Sequence, residues 1–132
     1  KKLKSLTFYQ CKLKEIPAIL LKMPQLVKLE MAANEFSSLD LAKQCYWPNL
    51  EVLDLRTNGC EAIPTWVYEH LSLKELFLQN NQIKELPTEI TSLKHLEKLA
   101  IDNNKIEHIQ VDFSQFTELS LLNWFWKQNP LK

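Results

Sequence analysis

Glycine is almost missing from this sequence: the 132-residue chain has one, Gly59. It has no glycine-rich loop to cradle a phosphate, no dinucleotide fingerprint and no G-x-S-x-G elbow. Cysteine is scarce, and Cys11, Cys45 and Cys60 form no C-x-x-C pair, no zinc spacing and no disulfide framework. No H-E-x-x-H occurs, and His70, His95 and His108 are read as surface or hydrogen-bonded histidines rather than ligands. An excess of one charge is also absent: Lys plus Arg is 16 and Asp plus Glu is 16. Such a balance gives no global field to attract nucleic acid or an anionic membrane surface. No apolar run reaches the roughly 18 residues that a membrane helix needs. The opening KKLKSLTF lacks the continuous apolar stretch of a signal peptide. No N-x-S/T acceptor is present. With the sparse cysteines this points to an intracellular, reducing compartment, cytoplasm or nucleus.

What the chain does have is a spacing. In LKELFLQNNQIKELPTEITSL, Leu73 to Leu93, apolar residues fall at offsets 1, 4, 6, 11, 14, 18 and 21, with Asn81 at 9 and Pro87 at 15. This matches neither the helical period of about 3.6 nor the strand period of about 2. LKELFL alternates like a strand that buries Leu76 and Leu78; LPTEITSL turns back with a spacing closer to a helix. One such unit cannot bury its own apolar face and needs copies on both sides.

The copies start at Leu3, Leu26, Leu50, Leu73, Leu96 and Leu121, steps of 23 to 25 residues. Offset 4 carries Leu6, Leu29, Leu53, Leu76, Leu99 and Trp124; offset 9 carries Cys11, Asn34, Asn58, Asn81, Asn104 and Asn129. The last unit could instead open at Leu119, which leaves Lys127 in the Asn slot. The Leu121 register puts Asn129-Pro130-Leu131 on N-x-L and turns Trp124 and Trp126 inward. The second unit lacks the Pro at offset 15, and its outer segment Leu39–Cys45 is expected to be more helical.

On this pattern the chain resembles the leucine-rich-repeat family, L-x-x-L-x-L-x-x-N/C-x-L. The LPxxIxxL tail of Leu86–Leu93 is similar to the intracellular 23-residue subclass, and the single Gly disfavours the extracellular plant type. The resemblance implies an α/β solenoid of about six repeats. Each L-x-x-L-x-L should form one short parallel strand on a concave face, with short helices, turns and extended segments on the convex side. The residues at offset 9 should form a ladder inside the turn, with Cys11 and Cys60 as small buried residues. Residues 1–132 read as a single repeat domain and a piece of a longer protein, because no amphipathic segment covers the first unit.

A solenoid of this kind leaves the side chains flanking the buried strand residues free for recognition. The expected partner-binding set on the concave face is Tyr9, Glu30, Asp54, Arg56, Phe77, Gln79, Asp102, Phe125 and Lys127. Exposed aromatics and arginine are the usual anchors of protein interfaces, with Glu30, Asp54 and Arg56 as a charged rim around Phe77. The chain is therefore read as a non-catalytic module that binds another protein, with no cofactor, metal or small-molecule substrate, and as a candidate subunit of a larger complex. Nucleic-acid binding and membrane insertion are not expected. Another face or the flanks could bind instead. Phe113–Leu131, with FSQF and Leu119–Leu121, and the Tyr9-Gln10-Cys11 opening are similar to the leucine-rich-repeat substrate receptors of cullin-2 ubiquitin ligases. That implies substrate recognition in the nucleus. A receptor ectodomain and a scaffold for a signalling enzyme are the rival classes.

Overall fold

The computed structural model describes residues 3–36, 46–119 and 128–131. Leu39, Cys45, Leu121, Trp124, Phe125, Trp126 and Lys127, all used above, lie outside that range.

Among the described residues five short strands form one parallel sheet in chain order: β1 (Ser5–Thr7), β2 (Lys28–Glu30), β3 (Val52–Asp54), β4 (Glu75–Phe77) and β5 (Lys98–Ala100). Leu6, Leu29, Leu53, Leu76 and Leu99 face one another across it in a single row. Each strand spans offsets 3 to 5, not the six residues of L-x-x-L-x-L. Coil-to-coil hydrogen bonds continue beyond that core: Met31 N–H donates to Asp54 O at 2.8 Å, Leu55 N–H to Phe77 O at 2.9 Å and Leu78 N–H to Ala100 O at 2.8 Å. The ladder is thus longer than the regular strands.

The return path on the convex side is a 3₁₀ helix in the coils that carry Pro at offset 15. These helices are Ala18–Lys22, Thr65–Glu69 and Thr88–Ser92, each preceded by a proline: Pro17, Pro64 and Pro87. Proline has no N–H to lose at a helix start. Its carbonyl takes the first bond, from Leu20 N–H at 3.0 Å, Val67 N–H at 3.0 Å and Ile90 N–H at 3.2 Å. A 3₁₀ helix rises about 2.0 Å per residue against about 1.5 Å for an α-helix, so a short segment covers more of the arc. Where Gln110 replaces proline the helix shrinks to Phe113–Gln115, capped by Asp112, whose Oδ1 accepts from Ser114 N–H at 3.0 Å. The Ser114 hydroxyl, which donates to the same oxygen at 2.6 Å, and then this backbone bond hold the exposed Asp112 carboxyl below its ordinary value.

The core is the row of leucines with the offset-6 and offset-11 side chains stacked behind it: Met31, Leu55, Leu78 and Ile101, then Phe36, Cys60, Ile83 and Ile106. The first coil is the exception. Leu3 is 45% exposed, and Leu6, Phe8, Leu13 and Ile16 are half-buried. Among the described residues no coil covers their outer side, so apolar residues at the same offsets do not reach the same burial.

Every coil turns through a left-handed residue at offset 8: Gln10, Ala33, Thr57, Asn80, Asn103 and Gln128, with φ between 55° and 59°. Left-handed backbone costs an L-residue roughly 1–2 kcal/mol. Its recurrence shows the turn is imposed by the stack. Gln128 extends the column to the last coil in the register that opens at Leu121.

Candidate functional site on the concave face

Behind the sheet, the asparagines form the expected ladder. Asn58 is representative: its Nδ2 donates to the carbonyls of Met31 (3.1 Å), Leu55 (3.0 Å) and Arg56 (3.1 Å). Its Oδ1 accepts from Asn34 N–H at 3.0 Å and Phe36 N–H at 3.4 Å in the coil before. Asn34, Asn81 and Asn104 reach back in the same way. So does Asn129, which accepts from Asn104 N–H at 3.2 Å and Ile106 N–H at 3.1 Å. The rung at Asn129, like the turn at Gln128, belongs to the Leu121 register. Each amide oxygen pairs backbone N–H groups that no strand neighbour reaches, and each amide nitrogen adds a donor to the carbonyls around the turn.

Cys11 departs from its expected burial: it is exposed, and its thiol donates to Tyr9 O of its own coil at 3.5 Å. A thiol is a weak hydrogen-bonding group, and no described coil lies beyond it to be bonded. Cys60 is buried as expected. Burial pushes its thiol up to about 11, and Sγ donates to Phe36 O at 3.3 Å, so it packs rather than reacts.

The concave face divides into two halves. In coils 1 to 3 its polar side chains satisfy one another. Glu30 accepts from Thr7 Oγ1 at 2.9 Å and lies 3.9 Å from Lys28 Nζ. Asp54, expected on an exposed rim, is 2% exposed. Arg56 covers it, with Nε at 2.9 and 3.0 Å from the two carboxylate oxygens and Nη2 at 2.8 Å. The bond to Asp54 also raises the Arg56 guanidinium above its ordinary value. Asp54 is a buried counter-ion for Arg56 rather than a group a partner can touch. Alternation along a strand could not reveal this, because the covering residue is two positions on, past the strand's end.

Around this pair, Tyr9 is 59% exposed and Phe77 is half-buried. Gln79 and Asp102 are half-buried in coils 4 and 5. Phe125 and Lys127 fall outside the described residues. The repeat brings the described members of the expected set onto one face, with Tyr9 and Arg56 exposed and Phe77, Gln79 and Asp102 half-buried.

One constellation was not foreseen. His70 is 1% exposed on the convex side, in a slot that other coils fill with apolar residues. Its Nε2 accepts from Trp47 N–H at 3.0 Å, and Nδ1–H donates to Trp66 O at 2.9 Å. The rings of Tyr46, Trp47 and Trp66 pack around it at 5.3 to 5.6 Å. Trp47 Nε1–H donates in turn to Leu20 O at 2.9 Å, joining three coils. Burial lowers the imidazole below its ordinary value and keeps it neutral. The signal was a polar residue in an apolar slot beside the Tyr46-Trp47 pair, but the acceptor role needs a partner 23 residues away.

An open cleft on the outer side of coils 4 and 5 is lined by Lys84, Glu85, Pro87, Lys105, Glu107 and His108. Among the described residues no group of His, Cys, Asp or Glu is placed to hold a metal ion, and no helix is long and apolar enough to cross a membrane.

Residues 71–120 match the family model for leucine-rich repeats, in two copies. Among solved structures, the Leptospira interrogans leucine-rich-repeat protein LIC12759 superposes with a TM-score of 0.80 at 25% identity. The match covers 96% of this chain and 32% of that one, so this chain spans about a third of its length. The BIR2 ectodomain of Arabidopsis thaliana gives 0.69 at 22% identity, over 94% of this chain and 67% of that one. A chain of the Arabidopsis thaliana BIR3–SERK2 complex gives 0.68 at 25% identity, over 89% and 63%. No curated protein sequence matches. The repeats, their register and these likenesses define the class of the fold: a leucine-rich-repeat solenoid, with residues 71–120 carrying the family's pattern. Proteins of this class are in general interaction modules rather than catalysts.

Proposed function

We propose that the chain, as one repeat domain, recognises another protein through the concave face, with Tyr9, Arg56, Phe77, Gln79 and Asp102 as contacts. The observation that carries this is Phe77. It stands on the strand next to Leu76, which fills the core, yet its own ring faces outward, half-open, where the stack does not require an aromatic. Aromatic rings so placed are typical anchors of interfaces. Phe125 and Lys127 extend the same columns by sequence. The exposed free thiol of Cys11 favours a reducing, intracellular setting. The more specific form, substrate recognition for a cullin-2 ubiquitin ligase in the nucleus, rests on Tyr9-Gln10-Cys11 and Phe113–Leu131. It predicts that the chain co-purifies with cullin-2 when expressed with its natural flanks.

The face itself is tested by a photo-crosslinking amino acid at Tyr9 or Phe77 against one at Thr88 or Lys94, exposed on the outer side. Crosslinks to a partner from the first pair and not the second are expected. Equal yield from Thr88 or Lys94 overturns the reading.

A further inference from the structure

Asn58 and Gly59 are the chain's one Asn-Gly pair. In such a pair the backbone nitrogen after the asparagine can attack the side-chain amide carbon, because glycine has no Cβ to crowd the ring that closes. The fold treats the two reacting groups unequally. At offset 10 the N–H groups of Glu35, Gln82 and Lys105 donate to the coil before, to Leu13 O, Cys60 O and Ile83 O, each at 2.8 Å. Gly59, at the same offset in coil 3, departs from them. Its φ is 79°, and Phe36 O, the counterpart acceptor, takes the Cys60 thiol at 3.3 Å. Among the described residues the Gly59 N–H has no hydrogen-bond partner. The attacking nitrogen is thus unclaimed.

The carbon it would attack is held. Asn58 is buried, with Nδ2 donating to the carbonyls of Met31, Leu55 and Arg56 and Oδ1 accepting from the N–H groups of Asn34 and Phe36. The N–H groups of Asn58 and Cys60 both donate to Asn81 Oδ1, at 2.9 and 3.1 Å, and so clamp Gly59 on either side. Asn58 Cγ does not swing toward Gly59 N while these rungs hold. We propose that Asn58-Gly59 is a site of spontaneous covalent modification, locked by the ladder and released when coils 2 to 4 part. On release, Gly59 N gives up its proton and bonds to Asn58 Cγ. The Cγ–Nδ2 bond breaks, and the departing nitrogen takes up a proton and leaves as ammonia. Water then opens the cyclic imide, leaving an aspartyl or isoaspartyl residue at position 58. An acid there turns oxygen toward Met31 O, Leu55 O and Arg56 O, where the amide donated, and a buried carboxylate without donors is costly. A chain that has opened and reacted is therefore marked and does not rebuild this rung.

The parent chain is held at mildly alkaline pH with and without guanidinium chloride. The tryptic peptide that begins at Thr57 is followed by mass for exchange of amide to acid. In denaturant, acid should form at position 58 ahead of the exposed Asn80 and Asn103. It should form there at least about tenfold faster than in buffer, where only the opened fraction reacts. Gly59→Ala in denaturant, where folding plays no part, should fall to the rate of Asn80. Asn58→Asp stands in for the product and should unfold at a lower urea midpoint than the parent at neutral pH. Equal rates with and without denaturant overturn the lock. Acid forming first at Asn80 or Asn103, or no slowing in Gly59→Ala, overturns the site. An Asn58→Asp midpoint equal to the parent's overturns the lasting mark.

Discussion

Replacing Asn58 by alanine removes an inner rung of the ladder, and its cost can be counted bond by bond. The three carbonyls that lose its Nδ2 each keep another donor: Asn34 Nδ2 on Met31 O, Asn81 Nδ2 on Leu55 O and Ala33 N–H on Arg56 O. The loss falls on the N–H groups of Asn34 and Phe36, both in buried residues. A stranded buried donor costs about 1–3 kcal/mol, and the longer Phe36 bond counts for less, so roughly 2–4 kcal/mol is expected. Asn34→Ala strands the N–H groups of Cys11 and Leu13 instead. That end is open to solvent, water replaces the side chain, and about 1 kcal/mol is expected. Urea unfolding of both variants, read as midpoint and slope, measures the difference. The reasoning is refuted if Asn34→Ala costs as much as Asn58→Ala, or if Asn58→Ala leaves the midpoint unchanged.

Three further outcomes follow from the same geometry. Arg56→Ala should destabilise by about 1–3 kcal/mol, because it leaves the buried Asp54 carboxylate without its partner; an unchanged melting temperature would contradict this. Thr57→Asn should stabilise by about 0.5–1 kcal/mol, since a β-branched residue at φ 58° is replaced by one that tolerates the left-handed region; thermal unfolding reads the gain, and a loss would count against the turn. The lowered His70 makes stability depend on pH with a definite sign. The folded state holds the ring neutral, while the unfolded chain takes a proton near the ordinary 6.5. Stability is complete above that value and declines as pH falls toward the depressed folded value, by at most about 1.4 kcal/mol per pH unit. Urea unfolding at stepped pH should show this slope in the parent chain and not in His70→Gln.

The leucine row and the asparagine rungs were legible because each coil carries its own copy of the same local spacing. What depends on neighbouring coils was not. Cys11 occupies a rung position, yet exposure there is set by what lies beyond the coil, not by its offset. Asp54 reads as a rim charge until Arg56 is seen folded over it. His70 reads as an ordinary histidine until its ring meets Trp47 of the coil before. The left-handed column of Gln10, Ala33, Thr57, Asn80, Asn103 and Gln128 shares no residue type, so the backbone alone reveals it. It nevertheless joins Asn129 in fixing the register of the final coil, which sequence left between Leu119 and Leu121.

Leu76 and Phe77 are consecutive residues on β4 that point to opposite faces, one fully buried in the stack and one half-open on the concave surface. Measuring melting temperature and partner affinity for Leu76→Ala and Phe77→Ala side by side separates the scaffold from the surface it presents. Leu76→Ala should lose about 2–5 kcal/mol of stability. Phe77→Ala should melt close to the parent and lose its hold on the partner. A Phe77→Ala chain that binds the partner as tightly as the parent would contradict the account.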